Sequence, residues 1–424
     1  MSSSAYTHQI INIKVPKPFL LNKENLDGCI VADCYHVNLL VENQQIKQIN
    51  PISQPFEANF TKDGGGNIVI PKLTEVHVHL DKCHSIGRLT DVGGDLIAAI
   101  KEQQKDKVNW TEQDIRHRAE QGLHELYDAG CQAVRTHIDW SAGYETPTTW
   151  NTMINIAREW RDKMLVQCAP LIDISLFVDL ERADAIVKQV AEADAVLGAF
   201  VLGQDNLETC IKNLFILANK YSTDVDFHVD EGMESSLGGI EVIADILMEA
   251  DYSGHVLCGH ACNLMNYAPS RLQKLMEKLK ARNVSICALP ATNLYLQGRN
   301  NGTPDRRGLT RIKELIEFGI NVVIGTDNVG DAFCPIGRHD PIHSLSLAVT
   351  SSHLDPPFDQ WLTCITTNAS KAIGLPPTFL DGASVDKLLI TNAKNTAELI
   401  AGGIAAPRSV TSILTLATNN QEIC

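Results

Sequence analysis

The sequence predicts an α/β protein: a (β/α)8 barrel carrying a small β module. Three observations predict it. Eight short apolar segments alternate with amphipathic helical stretches between residues 73 and 328. No GxGxxG turn follows the first of them, which argues against an open nucleotide-binding sheet. Both ends of the chain read as short strands without helical periodicity.

Taken in order, IINIKVPK (10–17) and NLLVENQQIKQINP (38–51) read as strands, and KDGGGN (62–67) as a glycine-rich turn. Residues GNIVIPKLTEV (66–76) begin barrel strand 1. Thr111 then opens a helix as its N-cap, with Asp114 near the positive helix end and Gly130 as the stop. Its apolar positions Ile115, Ala119, Leu123 and Leu126 recur at helical spacing. CQAVRTHIDW (131–140) is strand 2. The alternation continues through strands MLVQCAPLI (164–172), AVLGAFVLG (195–203), DVDFHVDE (224–231), HVLCGHA (255–261), VSICALP (284–290) and NVVIGTDN (321–328). Between them lie helical stretches beginning near Asn151, Leu180, Leu207, Gly239, Pro269 and Leu309. The tail returns to β character in SVDKLLITN (384–392) and SVTSILTLA (409–417). The expected organisation is a catalytic barrel over 73–383 and a composite β module from 1–72 and 384–424.

Composition narrows the function classes. The formal charge of −15, from 36 basic against 51 acidic residues, comes without a basic cluster. Nucleic acid and anionic membrane surfaces are not expected partners. The N-terminus lacks the apolar core of a signal peptide, and no apolar run is long enough to span a membrane. The 12 cysteines are too sparse for a disulfide scaffold and suit a reducing compartment, so a cytoplasmic location is expected. Cys258 and Cys262, around His260, lack a second pair to complete a structural zinc site and read as buried thiols.

The chemistry collects at one place. In TEVHVHLDK (74–82), His77 and His79 are two residues apart on a strand and so face the same way. Such a pair could hold a metal or could be polar residues at a solvated strand end. Elsewhere, His228 and Glu231 end strand 5, His260 ends strand 6 and Asp327 ends strand 8. A barrel gathers its C-terminal strand ends at one face, where active sites are built. Three imidazoles and a carboxylate meeting there suit a borderline divalent ion such as Zn2+ or Fe2+.

HVHLDK, HVDE, GHA and GTDN, in this order on strands 1, 5, 6 and 8, resemble the amidohydrolase superfamily, and within it the cytosine deaminase branch. The resemblance covers most of the chain. It implies a distorted (β/α)8 TIM barrel with a β-sandwich built from both termini, and one divalent metal ion bound by His77, His79, His228 and Asp327. Such an ion lowers the pKa of a bound water. Glu231 would carry protons to a ring nitrogen and the leaving group. His260 would orient the attacking water, and Asp327 would also take its proton. The implied activity is a hydrolytic deaminase releasing ammonia from an aminated N-heterocycle, foremost a cytosine-like pyrimidine. Removal of an alkylamine from a triazine ring is the alternative, and an inactive metal-binding homologue a third reading. Strand 4, ending AFVLG, offers no lysine for a carboxylated bridge, which favours one metal over two.

The expected substrate contacts depart from the branch pattern. Asp173 takes the place of a glutamine, Asn328 that of an aspartate and Phe333 that of a tryptophan. An ionised aspartate accepts hydrogen bonds and donates none, so Asp173 would read N–H groups rather than a carbonyl. Lys82 either reaches substrate or pairs with Asp81. His137 and Asp139 on strand 2 read as buried supports, and NNGTPDRRG (300–308) as a solvated connection or a lid. The partner is a small heterocyclic molecule, and the resemblance leaves room for a homo-oligomer.

Overall fold

The computed structural model describes residues 7–141, 143–300 and 302–402 and the backbone of 408–409. Eight parallel strands form one sheet in sequence order: Leu73–Val78, Cys131–Asp139, Leu165–Asp173, Leu197–Val201, Val225–Val229, Val256–His260, Ser285–Ala288 and Val322–Ile324. These are barrel strands 1 to 8. Strand 8 returns to strand 1 through a single parallel bridge, Val78 to Asp327, and the Asp327 N–H donates to the His77 carbonyl at 2.8 Å. The sheet is therefore a nearly closed, distorted (β/α)8 barrel with a thin seam between its first and last strands.

A helix follows each strand: Glu112–Asp128, Thr148–Trp160, Leu180–Glu192, Leu207–Tyr221, Gly239–Glu249, Pro269–Ala281, Ile312–Phe318 and Pro341–Ser352. The first begins as its sequence dictates. Thr111 Oγ1 accepts from the Asp114 N–H at 3.2 Å, and the chain leaves the helix through Gly130 at φ 97°. The last helix was not foreseen, nor was Leu96–Asp106, which lies between strand 1 and its helix.

A second, seven-stranded sheet joins the chain ends. Thr7–Pro16, Ile30–Val31, Cys34–Glu42, Gln45–Pro51 and Phe60–Pro71 are joined by Leu388–Ile390 and Arg408–Ser409. Leu388–Ile390 runs antiparallel to Val69–Pro71 and so ties the C-terminal side to the N-terminal side. The rest of the expected strand 409–417 lies outside the described residues. KDGGGN is not a turn: it lies inside the strand Phe60–Pro71. Pairing with the first strand jumps there from Ile11–Asp63 to Ile13–Asn67, a bulge that Gly65 and Gly66 permit at φ 65° and 69°. Asp63 Oδ1 holds the bulge by accepting from the Gly65 N–H at 2.7 Å.

Inside the barrel, below the site described next, a charged side chain is completely buried. Arg135 donates from Nη1 to Asp226 Oδ2 at 2.9 Å and from Nε to Gln167 Oε1 at 3.0 Å. Asp226 Oδ1 lies 3.0 Å from His137 Nε2. Burial works to raise the Asp226 pKa, but His137 and Arg135 hold its carboxyl below the usual value. Removing one partner of such a pair leaves a buried charge uncompensated. Asp226→Ala should therefore lose about 3–5 kcal/mol of stability in urea unfolding. A loss under about 1 kcal/mol would show that the pair is not structurally required.

Among the described residues no helix is long and apolar enough to cross a membrane. The described cysteines are all free, and Cys258 and Cys262 are fully buried, as expected of them; Cys424 lies outside the described residues.

Candidate active site

The barrel brings the C-terminal ends of strands 1, 5, 6 and 8 to one mouth, and the predicted groups come with them. His77 lies within strand 1, with His79 just beyond its end. His228 lies in strand 5, His260 closes strand 6, and Asp327 follows strand 8. Several of these residues, or their neighbours, hold left-handed backbone that non-glycine residues rarely adopt. Asp230 has φ 50°, His260 65°, Ala261 45° and Asp327 61°. Such strain clusters where a fold must aim side chains out of a strand end.

The ligand atoms of His77, His79 and Asp327 lie within 4.8 Å of one another. Asp327 Oδ1 is 3.3 Å from His79 Nε2 and 3.6 Å from His77 Nε2, and His228 Nε2 is 3.2 Å from His79 Nε2. The His79 tautomer follows from its other nitrogen. Nδ1 lies 3.2 Å from the His137 carbonyl, which can only accept, so Nδ1 carries the proton and Nε2 presents a lone pair. That lone pair faces Asp327 Oδ1, whose carboxyl burial pushes above its ordinary pKa. Neither oxygen of Asp327 and neither nitrogen of His77 has a hydrogen-bond partner among the described residues. Burial, more than any neighbour, pushes the pKa of His77, His79 and His228 well below the ordinary imidazole value. Neutral imidazoles cannot compensate the carboxylate. Buried imidazole lone pairs beside a carboxyl group fit a divalent cation.

Glu231 and His260 stand beside this cage. His260 Nδ1 is 3.1 Å from Asn293 Nδ2 and 3.5 Å from Glu231 Oε1, while its Nε2 has no hydrogen-bond partner among the described residues. Burial brings the His260 pKa down to about 4, so the ring is neutral at physiological pH. Burial, and then the nearby Asp327, push the Glu231 pKa well above its ordinary value. Both residues line a cavity of about 410 Å3, within the range of small-molecule sites.

His79, His228, Lys82, Asp173, Asn328 and Phe333 line the same cavity. Lys82 is almost fully buried, and among the described residues no carboxylate lies within 4.0 Å of its Nζ. It therefore does not pair with Asp81, whose Oδ2 instead accepts from the Asp139 N–H at 2.8 Å. The Lys82 ammonium lies 5.1 Å from the Phe333 ring centre and faces the cavity. Asp173 Oδ1 accepts from the Ser175 N–H at 2.9 Å, with Gln204 Nε2 at 3.4 Å. Asn328 donates to Asp331 Oδ2 at 2.7 Å, and Asp331 Oδ1 accepts from the N–H groups of Phe333 and Cys334. Asp331 thereby folds the loop that presents Phe333. His137 is a buried neighbour of the cage, its ring centre 4.0 Å from that of His77. Asp139 supports and also lines the cavity, bound by Lys107 at 2.7 Å. The 300–308 loop contributes none of the described lining residues.

Some contributors were missed in the sequence. Glu75 accepts from the His77 N–H at 2.8 Å and from the Thr326 N–H at 3.1 Å. It thus braces both sides of the seam beside two cage residues, and burial raises its pKa to about 8. Asp230 accepts from the N–H groups of Gly239 and Ile240 at the start of a helix, and this turns the following Glu231 toward the cavity. Gly259 and Gly325 make room for His77: a Cβ on either would come within 2.8 Å or 2.9 Å of it. Helix Leu96–Asp106 walls the cavity with Leu96, Ile100, Gln103 and Gln104.

Fold and site together define a barrel hydrolase built around a metal-binding His/Asp cluster. The model of the amidohydrolase family matches residues 68–379, and the chain belongs to that family. Amidohydrolases bind a divalent metal, and this chain holds buried His/Asp clusters in its barrel, His77 with His79 and Asp327 and His77 with His137, Asp226 and His228. Among curated relatives, a pterin deaminase from Rhizobium rhizogenes (strain K84) is 28% identical over 82% of this chain and 79% of its own. An N-isopropylammelide isopropyl amidohydrolase from Pseudomonas sp. (strain ADP) is 23% identical over 74% of this chain and 76% of its own. Among solved structures, 5-methylcytosine deaminase from Klebsiella pneumoniae, liganded with 5-fluorocytosine, superposes with a TM-score of 0.78 at 23% identity, covering 95% of this chain and 96% of that one.

Proposed function

We propose that the chain is a hydrolytic deaminase that releases ammonia from an aminated, oxygen-bearing N-heterocycle, the recognised unit being a cytosine-like pyrimidine, free or fused to a second ring. The observation that carries this reading is one cavity lined together by His79, His228, His260, Glu231, Asp173 and Lys82, with burial raising the Glu231 pKa. Similarity to a pterin deaminase and to a 5-methylcytosine deaminase supports it. Residues 73–383 form the catalytic unit in this reading, and 1–72 with 384–424 the accessory module.

His77, His79, His228 and Asp327 would hold one Zn2+ or Fe2+ ion, which supplies Lewis acidity and lowers the pKa of a water. The protein groups do the rest. Asp327 takes one proton from the attacking water, and the His260 Nε2 edge orients it. Glu231 gives its proton to the ring nitrogen next to the amino-bearing carbon, which allows oxygen to add there. Glu231, now ionised, takes the proton of the added hydroxyl and passes it to the amino group. The C–N bond breaks, a carbonyl forms and ammonia leaves, and the proton held by Asp327 then restores Glu231. Asp173 reads N–H or NH2 on the ring, Lys82 donates to a ring oxygen, and Phe333 and Asn328 border the ring.

Ammonia release from a panel of cytosine, 5-methylcytosine, isocytosine, pterin and aminotriazines, using zinc- and iron-loaded protein, tests the proposal. Turnover of at least one oxo-aminopyrimidine ring is expected. Release of alkylamine from N-isopropylammelide without ammonia from any ring would favour the triazine-directed alternative. No release of either from fully metallated protein would leave only a binding role.

A further inference from the structure

A second cluster of metal-type donors lies outside the cavity, where the loop after strand 1 meets the loop after strand 8. Cys83, His84 and His339 each place a ligand atom within 4.8 Å of the other two. Glu125, on the helix Glu112–Asp128, brings Oε2 to 3.1 Å from His84 Nε2 and 2.7 Å from His339 Nδ1. The side chains of Cys83 and His339 are fully buried, and that of Glu125 is 40% exposed, which gives the cluster a side open to solvent.

Its hydrogen bonding is incomplete. Among the described residues, the buried His84 Nε2 and His339 Nε2 have no hydrogen-bond partner, although Glu125 Oε2 approaches His84 Nε2 to 3.1 Å. The Cys83 thiol has only the carbonyls of Leu80 and Arg118, each at 3.3 Å. Gly122 leaves room for the His339 ring, since a Cβ there would come within 2.8 Å of its Cε1. Buried imidazole nitrogens without partners are costly unless something binds them.

We propose that Cys83, His84 and His339 form a second metal site, for one borderline divalent transition ion such as zinc, with Glu125 beside the two imidazoles to orient them. A thiolate and two imidazoles supply three of the four positions of a tetrahedral site, and the sulfur disfavours magnesium and calcium. Binding is not a redox step. The Cys83 S–H bond gives its proton to solvent as the sulfur–metal bond forms, and the ion sheds its waters.

The position gives the site a purpose. Between strands 8 and 1 the barrel is closed by one bridge, and beyond it by backbone hydrogen bonds from His84 to Val329 and from Ile86 to Gly330. An ion held by Cys83, His84 and His339 would staple these two loops together. Those loops carry Lys82, Asn328 and Phe333 of the cavity.

Cobalt(II) distinguishes this site from the cage at the mouth, because only this set contains sulfur. Full-length protein stripped with a chelator and titrated with Co2+ should bind a second equivalent and develop a near-ultraviolet thiolate-to-cobalt absorption. Cys83→Ser should lose that band and one equivalent while keeping its far-ultraviolet circular dichroism. The partly exposed variant Glu125→Gln should fold normally and bind the second equivalent roughly 10-fold or more weakly. No thiolate band at saturating cobalt, or one unchanged in Cys83→Ser, would overturn the proposal.

Discussion

Glu231→Gln is expected to retain its metal and its fold and to lose activity by roughly 10²–10⁴-fold, the usual worth of a positioned proton carrier. The amide keeps the shape of the carboxyl and its place beside His260, 3.5 Å away, but has no acidic proton to give. The effect should fall on kcat more than on KM, because Glu231 is assigned to the transition state and not to ring recognition. Its raised pKa also fixes the direction of a pH effect. A group that must be protonated loses function as pH rises through its pKa, so kcat should decline on the alkaline side. In Glu231→Gln that limb should disappear along with most of the rate. Equal turnover by the variant and the parent would contradict the role.

His228→Ala carries the second large effect. Strand 5 delivers this imidazole 3.2 Å from His79 Nε2. The expected result is loss of one equivalent of metal, with affinity at the mouth weakened by well over the roughly 10–100-fold that removing a supporting group alone would cost. Activity should vanish with the ion. A variant that keeps full metal content at the mouth would remove His228 from the cage.

The cage was legible because strands alternate. Residues two apart share a face, so HVH announces two inward imidazoles, and eight strand–helix units announce where they converge. The same alternation puts Glu75 on the inner face with His77 and His79, a signal that was present but not used. Asp230 was not legible: its task is to bind the N–H groups of a helix that starts nine residues later, and local sequence says nothing of that. Helix Leu96–Asp106 was missed because its apolar residues crowd its first turns, leaving KEQQKD without amphipathic spacing. KDGGGN misled for a physical reason: glycines at positive φ mark turns, yet here they build a bulge within a strand. The fate of Lys82 also needed coordinates, since the neighbouring Asp81 is satisfied by a backbone N–H from strand 2.

Anomalous diffraction at the zinc edge, from crystals of the zinc-loaded chain, is the most direct measurement of the arrangement on which everything else depends. The expected result is a strong peak at the barrel mouth, at about 2.0–2.2 Å from one nitrogen each of His77, His79 and His228 and from an oxygen of Asp327. A fully loaded crystal with no peak among those four residues would contradict it.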